Sequence, residues 1–433
     1  MKEFIPFTNT SSADWKKKVI TDLKGKDYHE LVKETPDGLT IEPLYGHENS
    51  SDIGTGRIQS DWWTHQTFGL NETEDERRYL DQALASGIGS IGIKCNDWSK
   101  AEALLNGILP QHIRVSLEVG GHAHLFPEFL EYLRKSVDQT SDLKADHLYR
   151  PLKGLLRGQE GQASLGELSK MMDEAKGLPS LGLCLVDGSD YHHAGADHVT
   201  EMALMSAEAI HLVRNTDSGL ASRLRFRCTV DRDYLVSIAK LRAFRILWMN
   251  ICEAEGYALE GMEVWSTGSP WEYAHTDEDT NLLRSSSQTM AAILGEADVI
   301  ETPPHQGKKR GDALRLARNI HFLLRHESHL DKASGVTDGA YLFNDLTEQL
   351  VRKAWDVLLD IEEKGGWKSY LESGEMHSEL HKGGLAKAEG LTDGSTTWIG
   401  VNKYTSGEAG KLDIKWSSPN SEYGLIFPII RTS

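Results

Sequence analysis

Ala239-Lys-Leu-Arg-Ala-Phe-Arg-Ile-Leu-Trp248 lies inside a longer run, Val230 to Gly256, with good helix formers and no internal Gly or Pro. Asp231 or Asp233 can cap its start and Gly256 can close it. Leu235, Ile238, Leu241, Trp248 and Cys252 recur at helical spacing, while Phe244, Ile246, Leu247 and Met249 fill the other side. A helix this apolar around its circumference is buried on more than one face. Arg242 and Arg245 lie three apart, so their guanidinium groups are expected on one edge. A strand-like run, Leu224-Arg-Phe-Arg-Cys-Thr-Val230, feeds directly into this helix. The pair reads as one strand-helix step of a repeating β/α fold.

The alternation continues in both directions. Candidate strands are Asp61–Gln66, Ser90–Lys94, Ile113–Val119, Asp146–Arg150, Gly182–Asp187, Leu224–Val230, Gly261–Thr267 and Asp298–Thr302. Helical patterns follow them at 72–86, 98–108, 122–136, 164–176, 195–214, 232–256, 279–296 and 311–327. Eight strands, each followed by a helix, predict an eight-stranded parallel β/α (TIM) barrel. Residues 1–45 read as an N-terminal helical arm, 46–345 as the barrel and 346–433 as a C-terminal helical extension and tail. In the arm, Ser12-Ala-Asp14 can start a helix carrying Trp15, Val19, Ile20 and Leu23, and Gly25 can end it. A helix lying on its own barrel and an arm reaching another chain are both consistent with that pattern. In the extension, Thr347–Glu363 is amphipathic, and the tail segment Tyr423–Arg431 reads as extended.

At 433 residues the chain suits one large barrel plus extensions. No run approaches the roughly 20 apolar residues of a membrane span. Met1-Lys-Glu-Phe-Ile-Pro-Phe7 has no apolar signal core, so a cytoplasmic location is the default expectation. A net charge of −18 disfavours a nucleic-acid partner. It leaves room for a coenzyme A ester, which needs only a local basic patch. Cys95, Cys184, Cys228 and Cys252 are far apart, as expected of free thiols.

Taken as strings, many segments resemble the methylmalonyl-CoA mutases. Ala-Lys-Leu-Arg-Ala-x-Arg-x-Leu-Trp, entered from a strand, is similar to part of that family's barrel domain. Trp265-Ser-Thr-Gly268, Met290-Ala-Ala-Ile-Leu-Gly295, Arg315-Leu-Ala-Arg-Asn319, Asp338-Gly-Ala-Tyr341 and Glu362-Glu-Lys-Gly-Gly-Trp367 follow in the family's order. Gly400-Val-Asn-Lys-Tyr404 resembles the string after the barrel. Trp15, Asp22-Leu-Lys-Gly-Lys-Asp27, Thr35-Pro-Asp-Gly38 and Pro43-Leu-Tyr45 look like the mutase arm. Glu327-Ser-His-Leu330 and Asn281-Leu-Leu-Arg284 are similar to the small (beta) subunit of the heterodimeric enzyme. The large subunit carries Arg-Gln-Tyr-Ala-Gly-Phe in its first barrel loop, where this chain has His65-Gln-Thr-Phe-Gly-Leu70. Thr67 therefore stands where a tyrosine would stack near the corrin, and threonine offers no aromatic face.

After the fifth strand the large subunit has Gly-Tyr-His-Met-Gln-Glu-Ala-Gly-Ala, against Gly188-Ser-Asp-Tyr-His-His-Ala-Gly-Ala196 here. A loop deletion would put Tyr191 and His192 at the family's acid/base pair. Anchoring on Ala194-Gly-Ala196 puts Ser189 and Asp190 there instead. Tyr191 and His192 are the candidate catalytic residues, expected as vestiges. Asp190-Tyr-His-His-Ala-Gly195 also spells a cobalamin-ligand string, but no cobalamin-binding domain follows it. His192, His193, Asp190, Asp197 and His198 can be read as a zinc cluster, although adjacent histidines in one short loop rarely form a tetrahedral site. Pro303-Pro-His-Gln-Gly-Lys-Lys-Arg310 is locally basic at the end of the eighth strand, where such barrels often bind phosphate. No P-loop, dinucleotide fingerprint or nucleophile elbow is present.

The resemblance implies a holoenzyme that interconverts (R)-methylmalonyl-CoA and succinyl-CoA by radical rearrangement. Adenosylcobalamin is expected on a catalytic large subunit, with this chain a non-catalytic partner in a heterodimer, or a homodimer when alone. Its lumen is then expected to be filled by side chains such as Trp62, Trp63 and Phe68. Two alternatives stand beside this: a catalytic acyl-CoA mutase chain working with a separate cobalamin-binding protein, and a non-catalytic acyl-CoA-binding barrel.

Overall fold

A computed structural model describes residues 10–46, 54, 61–69, 74–136, 143–158, 165–274, 277–306, 311–405, 412–416 and 428–432. Eight strands form the centre: β1 (Trp63–Phe68), β2 (Ser90–Lys94), β3 (Arg114–Gly120), β4 (Ala145–Tyr149), β5 (Gly182–Asp187), β6 (Leu224–Val230), β7 (Glu263–Gly268) and β8 (Val299–Glu301). All neighbours are parallel, and β8 pairs with both β7 and β1, closing the barrel. The outer helices are α1 (Glu74–Ala85), α2 (Trp98–Leu105), α3 (Phe126–Ser136), α4 (Leu165–Glu174), α5 (His198–Arg214), α6 (Tyr234–Glu255), α7 (Thr280–Leu294) and α8 (Gly311–His326).

The opening stretch becomes α6, closed by Gly256 in the left-handed conformation. Its apolar residues meet β6, where the Phe226 ring lies 5.0 Å from Phe244 and 4.9 Å from Trp248. Its three basic residues are buried and spread over different partners. Lys240 Nζ lies 2.8 Å from Glu201 of α5. Arg242 donates to Thr337 Oγ1 and Asn344 Oδ1, and Arg245 to the Met262 and Glu296 carbonyls and to Asp298. The shared edge expected of Arg242 and Arg245 thus diverges, because the two guanidinium groups satisfy different segments: Arg242 the segment 337–344, Arg245 the entries to β7 and β8.

Alternation along the strands separates two cores. Phe68, Ile91, Val115, Leu117 and Phe226 face the helices and join the main apolar cluster. Leu148, Leu185, Trp265 and Val299 face inward, with Trp63 packed against them. This corrects the expected lumen filling for Trp62 and Phe68, while Trp63 does face the lumen. Trp62 and Phe68 share the opposite parity to Trp63 and point outward. Trp62 donates to His321 Nδ1 of α8 at 3.0 Å, and the Arg325 guanidinium lies 4.4 Å from its ring.

Beyond the barrel, α9 (Tyr341–Glu363) lies across α5 and α6, followed by α10 (Gly366–Glu372) and α11 (Glu375–Thr392). Leu412–Trp416 and Pro428–Thr432 pair as an antiparallel hairpin. The first part of the expected extended tail, 423–427, lies outside the described residues. At the other end, the helix Ser12–Asp22 is capped reciprocally by Ser11 and Asp14 and buries none of its residues. A small hairpin, Lys33–Glu34 with Thr40–Ile41, follows it, and Leu39 in its turn is fully buried. No described helix is long and apolar enough to cross a membrane.

Candidate functional site

Active sites of β/α barrels sit at the C-terminal ends of the strands, and the lumen beneath is packed in layers. The lowest layer here is ionic. Arg114 on β3 donates Nε and Nη2 to Asp146 Oδ2 on β4, at 2.9 and 2.6 Å, and Nη1 to Glu263 Oε1 on β7, at 3.0 Å. Strands β3 and β7 are four apart in an eight-stranded barrel, so this contact joins opposite walls. Arg225 on β6 donates to Asp146 Oδ1 at 2.7 Å and lies 3.1 Å from Glu263. Gly182 makes the crossing feasible: a Cβ there would fall 2.3 Å from Asp146 Oδ1 and 2.7 Å from Arg225 Nε.

Above that layer lies the Trp265 ring, 1% exposed, with Arg114 on one side at 5.1 Å and Arg227 at 5.8 Å. His65 packs edge-on to it at 4.9 Å and shares a 2.7 Å hydrogen bond with Ser90 Oγ. Burial pushes the His65 imidazole down to about 4, against Glu301 and Glu118, so it is neutral near pH 7. The strand carrying it runs two residues further than expected. Thr67 is therefore a strand residue whose hydroxyl donates to Glu118.

The top layer carries alternating charge. Arg227 donates to Glu118 Oε1 at 2.8 Å and Asp187 Oδ2 at 3.2 Å. Arg150, just beyond β4, is paired with Asp190 and lies 3.2 Å from Asp187. Burial would raise the Asp187 carboxyl, but the two guanidinium groups hold it well below its usual range. His65, Glu118 and Glu301 present ligand atoms within 4.8 Å of one another, as a metal site would. Arg227 already supplies positive charge to that group, so a cation would have to displace it.

A cavity of about 770 Å³ opens over this layer, between the ends of β1 to β6. Leu148, Leu185, Glu118, Asp187 and Arg227 reach into it, and Lys94, Lys100, Lys153 and Arg157 stand around it. Its lining stops above Trp265, His65 and Arg114. The basic groups are not legible as a cluster in the sequence because they come from the end of β2, from α2 and from the segment after β4. The available signal was positional: Lys94 closes its strand and Arg150 follows its own, where barrel function concentrates.

The predicted catalytic pair sits elsewhere. Gly188–Ala194, read as a loop, forms a short helix with Tyr191 and His192 buried. The Tyr191 hydroxyl donates to Glu208 at 2.7 Å and accepts from the Trp367 indole at 2.8 Å. His192 Nε2 lies 2.9 Å from Ser269 Oγ, and Nδ1 lies 3.5 Å from Glu201. Burial, aided by Lys387 and opposed by Glu201, pushes this imidazole down to about 4. Neither residue lines the mouth cavity.

The zinc-like cluster is dispersed as well. Asp190 pairs with Arg150, Asp197 caps α5 through the Thr200 amide, and His198 lies between Asp37 and Asp231. Of the basic eighth-strand segment, Gly307–Arg310 lies outside the described residues, and His305 is buried. Cys184, Cys228 and Cys252 are buried and Cys95 partly so, all four free.

Among the described residues, those at the two positions that the resemblance points to do not fit a corrin. His192, the only histidine at the ligand position of the Asp-x-His-x-x-Gly string, is turned inward onto Ser269 and Glu201. Thr67 presents a hydroxyl already bound to Glu118 and no aromatic face.

A family model described as methylmalonyl-CoA mutase matches residues 79–422. The chain is 26% identical to the methylmalonyl-CoA mutase small subunit of Porphyromonas gingivalis, over 93% of this chain and 71% of that one. The same figures hold for a probable methylmalonyl-CoA mutase small subunit of Mycobacterium tuberculosis. The mitochondrial methylmalonyl-CoA mutase of Bos taurus is 21% identical, over 93% of this chain and 62% of its own.

Proposed function

Because the chain belongs to the methylmalonyl-CoA mutase family, we propose that it is a small subunit that stabilises a catalytic large subunit and turns over no substrate itself. The holoenzyme of this reading interconverts (R)-methylmalonyl-CoA and succinyl-CoA, an isomerisation. Adenosylcobalamin on the partner supplies the radical chemistry.

The observation that carries the non-catalytic role is the Arg114–Glu263 bridge between opposite walls of the lumen. A substrate arm threaded along the axis would have to displace it, leaving Asp146 and Glu263 under-compensated in a buried site. Breaking a buried ion pair costs about 3–5 kcal/mol. Tyr191 and His192, locked to Glu208 and Ser269 away from the mouth, support the same reading as vestiges or purely structural groups.

Support for a partner comes from the arm. No residue of its helix Ser12–Asp22 is fully buried: Trp15 and Val19 are half-buried and Ile20 is 49% exposed. A free helix of this length is marginal alone, and an apolar face on it is ready to cover another chain.

The test is co-expression with a cobalamin-binding large subunit. A one-to-one complex in native mass spectrometry, with isomerase activity in the complex and none in the isolated chain, is expected. Stoichiometric binding of adenosylcobalamin by the isolated chain, read from its visible spectrum, would sink the proposal.

A further inference from the structure

Lys94, Lys153 and Arg157 stand at the mouth cavity, and among the described residues no carboxylate comes within ion-pairing distance of them. This differs from the floor, where Arg150 and Arg227 are committed to Asp190, Asp187 and Glu118. Seven cationic side chains line the cavity against three carboxylates, in a chain whose net charge is −18. Like charges gathered against the protein's overall sign cost free energy unless an anion sits among them. Lys153 registers that cost: burial, then the neighbouring Arg150, Arg157 and Lys94, push its ammonium down to about 8 despite Asp190. The deeper wall is apolar: Leu148 and Leu185, buried in the inner core, line it.

We infer that this cavity binds a small organic phosphate, its phosphate held by Lys94, Lys153 and Arg157 and its carbon skeleton laid over Leu148 and Leu185. A phosphate monoester carries about 1.5 to 2 negative charges at neutral pH and several acceptor oxygens, which suits three separate cations. A simple carboxylate brings a single charge and is satisfied by one forked guanidinium. Arg150 and Arg227 on the floor are already used by Asp187 and its neighbours. That leaves Arg157 as one guanidinium beside two lysines, a set that a doubly charged phosphate uses in full. The volume, about 770 Å³, lies within the roughly 300–1,000 Å³ of small-molecule pockets and exceeds what an inorganic ion fills. The site is separate from the closed lumen beneath and does not depend on the small-subunit reading.

Calorimetry on the full chain at about 0.1 M salt tests it, with ribose 5-phosphate as the probe and succinate as the carboxylate control. Ribose 5-phosphate is expected to saturate one site. Lys94 and Arg157 are exposed, so the double variant K94A/R157A should fold normally and weaken binding at least about tenfold. Lys153→Gln should act in the same direction. The double variant K17A/K135A, which removes two exposed lysines remote from the cavity, should leave affinity unchanged. Three results overturn the proposal: no saturable binding, equal loss in both double variants, or succinate binding as tightly as the phosphate. Assembly with a large subunit is read separately, so failure here leaves that reading standing.

Discussion

Lys240 shows how a residue legible as helical can hide its role. It is fully buried in α6 and paired at 2.8 Å with Glu201, itself fully buried. Burial would raise the Glu201 carboxyl, but Lys240 and His192 hold it down at about 2. Glu201 also accepts from the Thr229 amide at 2.8 Å, so it ties α5 and α6 to the end of β6. Lys240→Met leaves that carboxylate unpaired and is expected to cost about 3–5 kcal/mol, read from the urea midpoint. Adding Glu201→Gln removes the orphaned charge and should restore part of the loss. The sequence showed a helix buried on several faces, and periodicity alone cannot say which distant acid compensates a buried lysine. Arg242 and Arg245 repeat the lesson: their spacing was visible, but Asn344 of α9 and the Glu296 carbonyl, which accept from them, lie over fifty residues away.

At the scale of elements, strands were legible to within two residues because their apolar runs are bounded by turn residues and charges. The short helix Gly188–Ala194 and the helices α10 and α11 were not. Their glycines weaken propensity, and packing overrides it. Gly195 shows the packing: at φ 122° its missing Cβ would sit 2.1 Å from the Leu380 carbonyl oxygen and 2.4 Å from the Gly384 nitrogen of α11. Gly195→Ala should therefore cost at least about 1–3 kcal/mol, with the loss visible as faster hydrogen exchange in α11. The arm hairpin docks by charge. His198 Nδ1 lies 2.6 Å from Asp37, and Nε2 3.1 Å from Asp231. Burial would lower this imidazole, but Asp231 and Asp37 outweigh that and raise it well above the ordinary value. Its contribution is thus fully present below about pH 6.5 and lost as pH rises through the raised value. Hydrogen exchange at residues 33–41 should accelerate on the alkaline side, and His198→Gln should abolish that pH dependence. An exchange rate indifferent to pH between 6 and 9, after correction for intrinsic chemistry, would remove the charge clamp. The arm's other half, Ser12–Asp22, should matter only in the complex. Ile20→Glu is expected to weaken assembly with the large subunit while leaving the chain's own melting temperature within about 1 °C, as for surface changes.

For the whole molecule, the question is whether the barrel serves chemistry or support, and the lumen gives it an energetic form. An interior crossed by Arg114, Asp146, Arg225 and Glu263, capped by Trp265, is a core built from charge where aromatic filling was expected. The charged layer could be anticipated only in retrospect, since Arg114, Asp146, Arg225 and Glu263 each look like ordinary strand-end residues until closure brings them together. Arg114→Leu strips Asp146 of two hydrogen bonds and breaks the cross-wall bridge, so the isolated chain should lose about 3–5 kcal/mol in denaturant unfolding. In the assembled mutase the two roles diverge. If the barrel only supports its neighbour, kcat and KM per intact complex stay at the wild-type values, and the fraction of complex surviving a heat challenge falls. If substrate or radical chemistry runs through this lumen, kcat drops in complexes that native mass spectrometry shows to be fully assembled. The measurement is therefore steady-state turnover normalised to intact complex, at a temperature where the variant remains folded. A barrel whose walls are bridged by ion pairs should pass it with turnover unchanged, because nothing the substrate touches has moved.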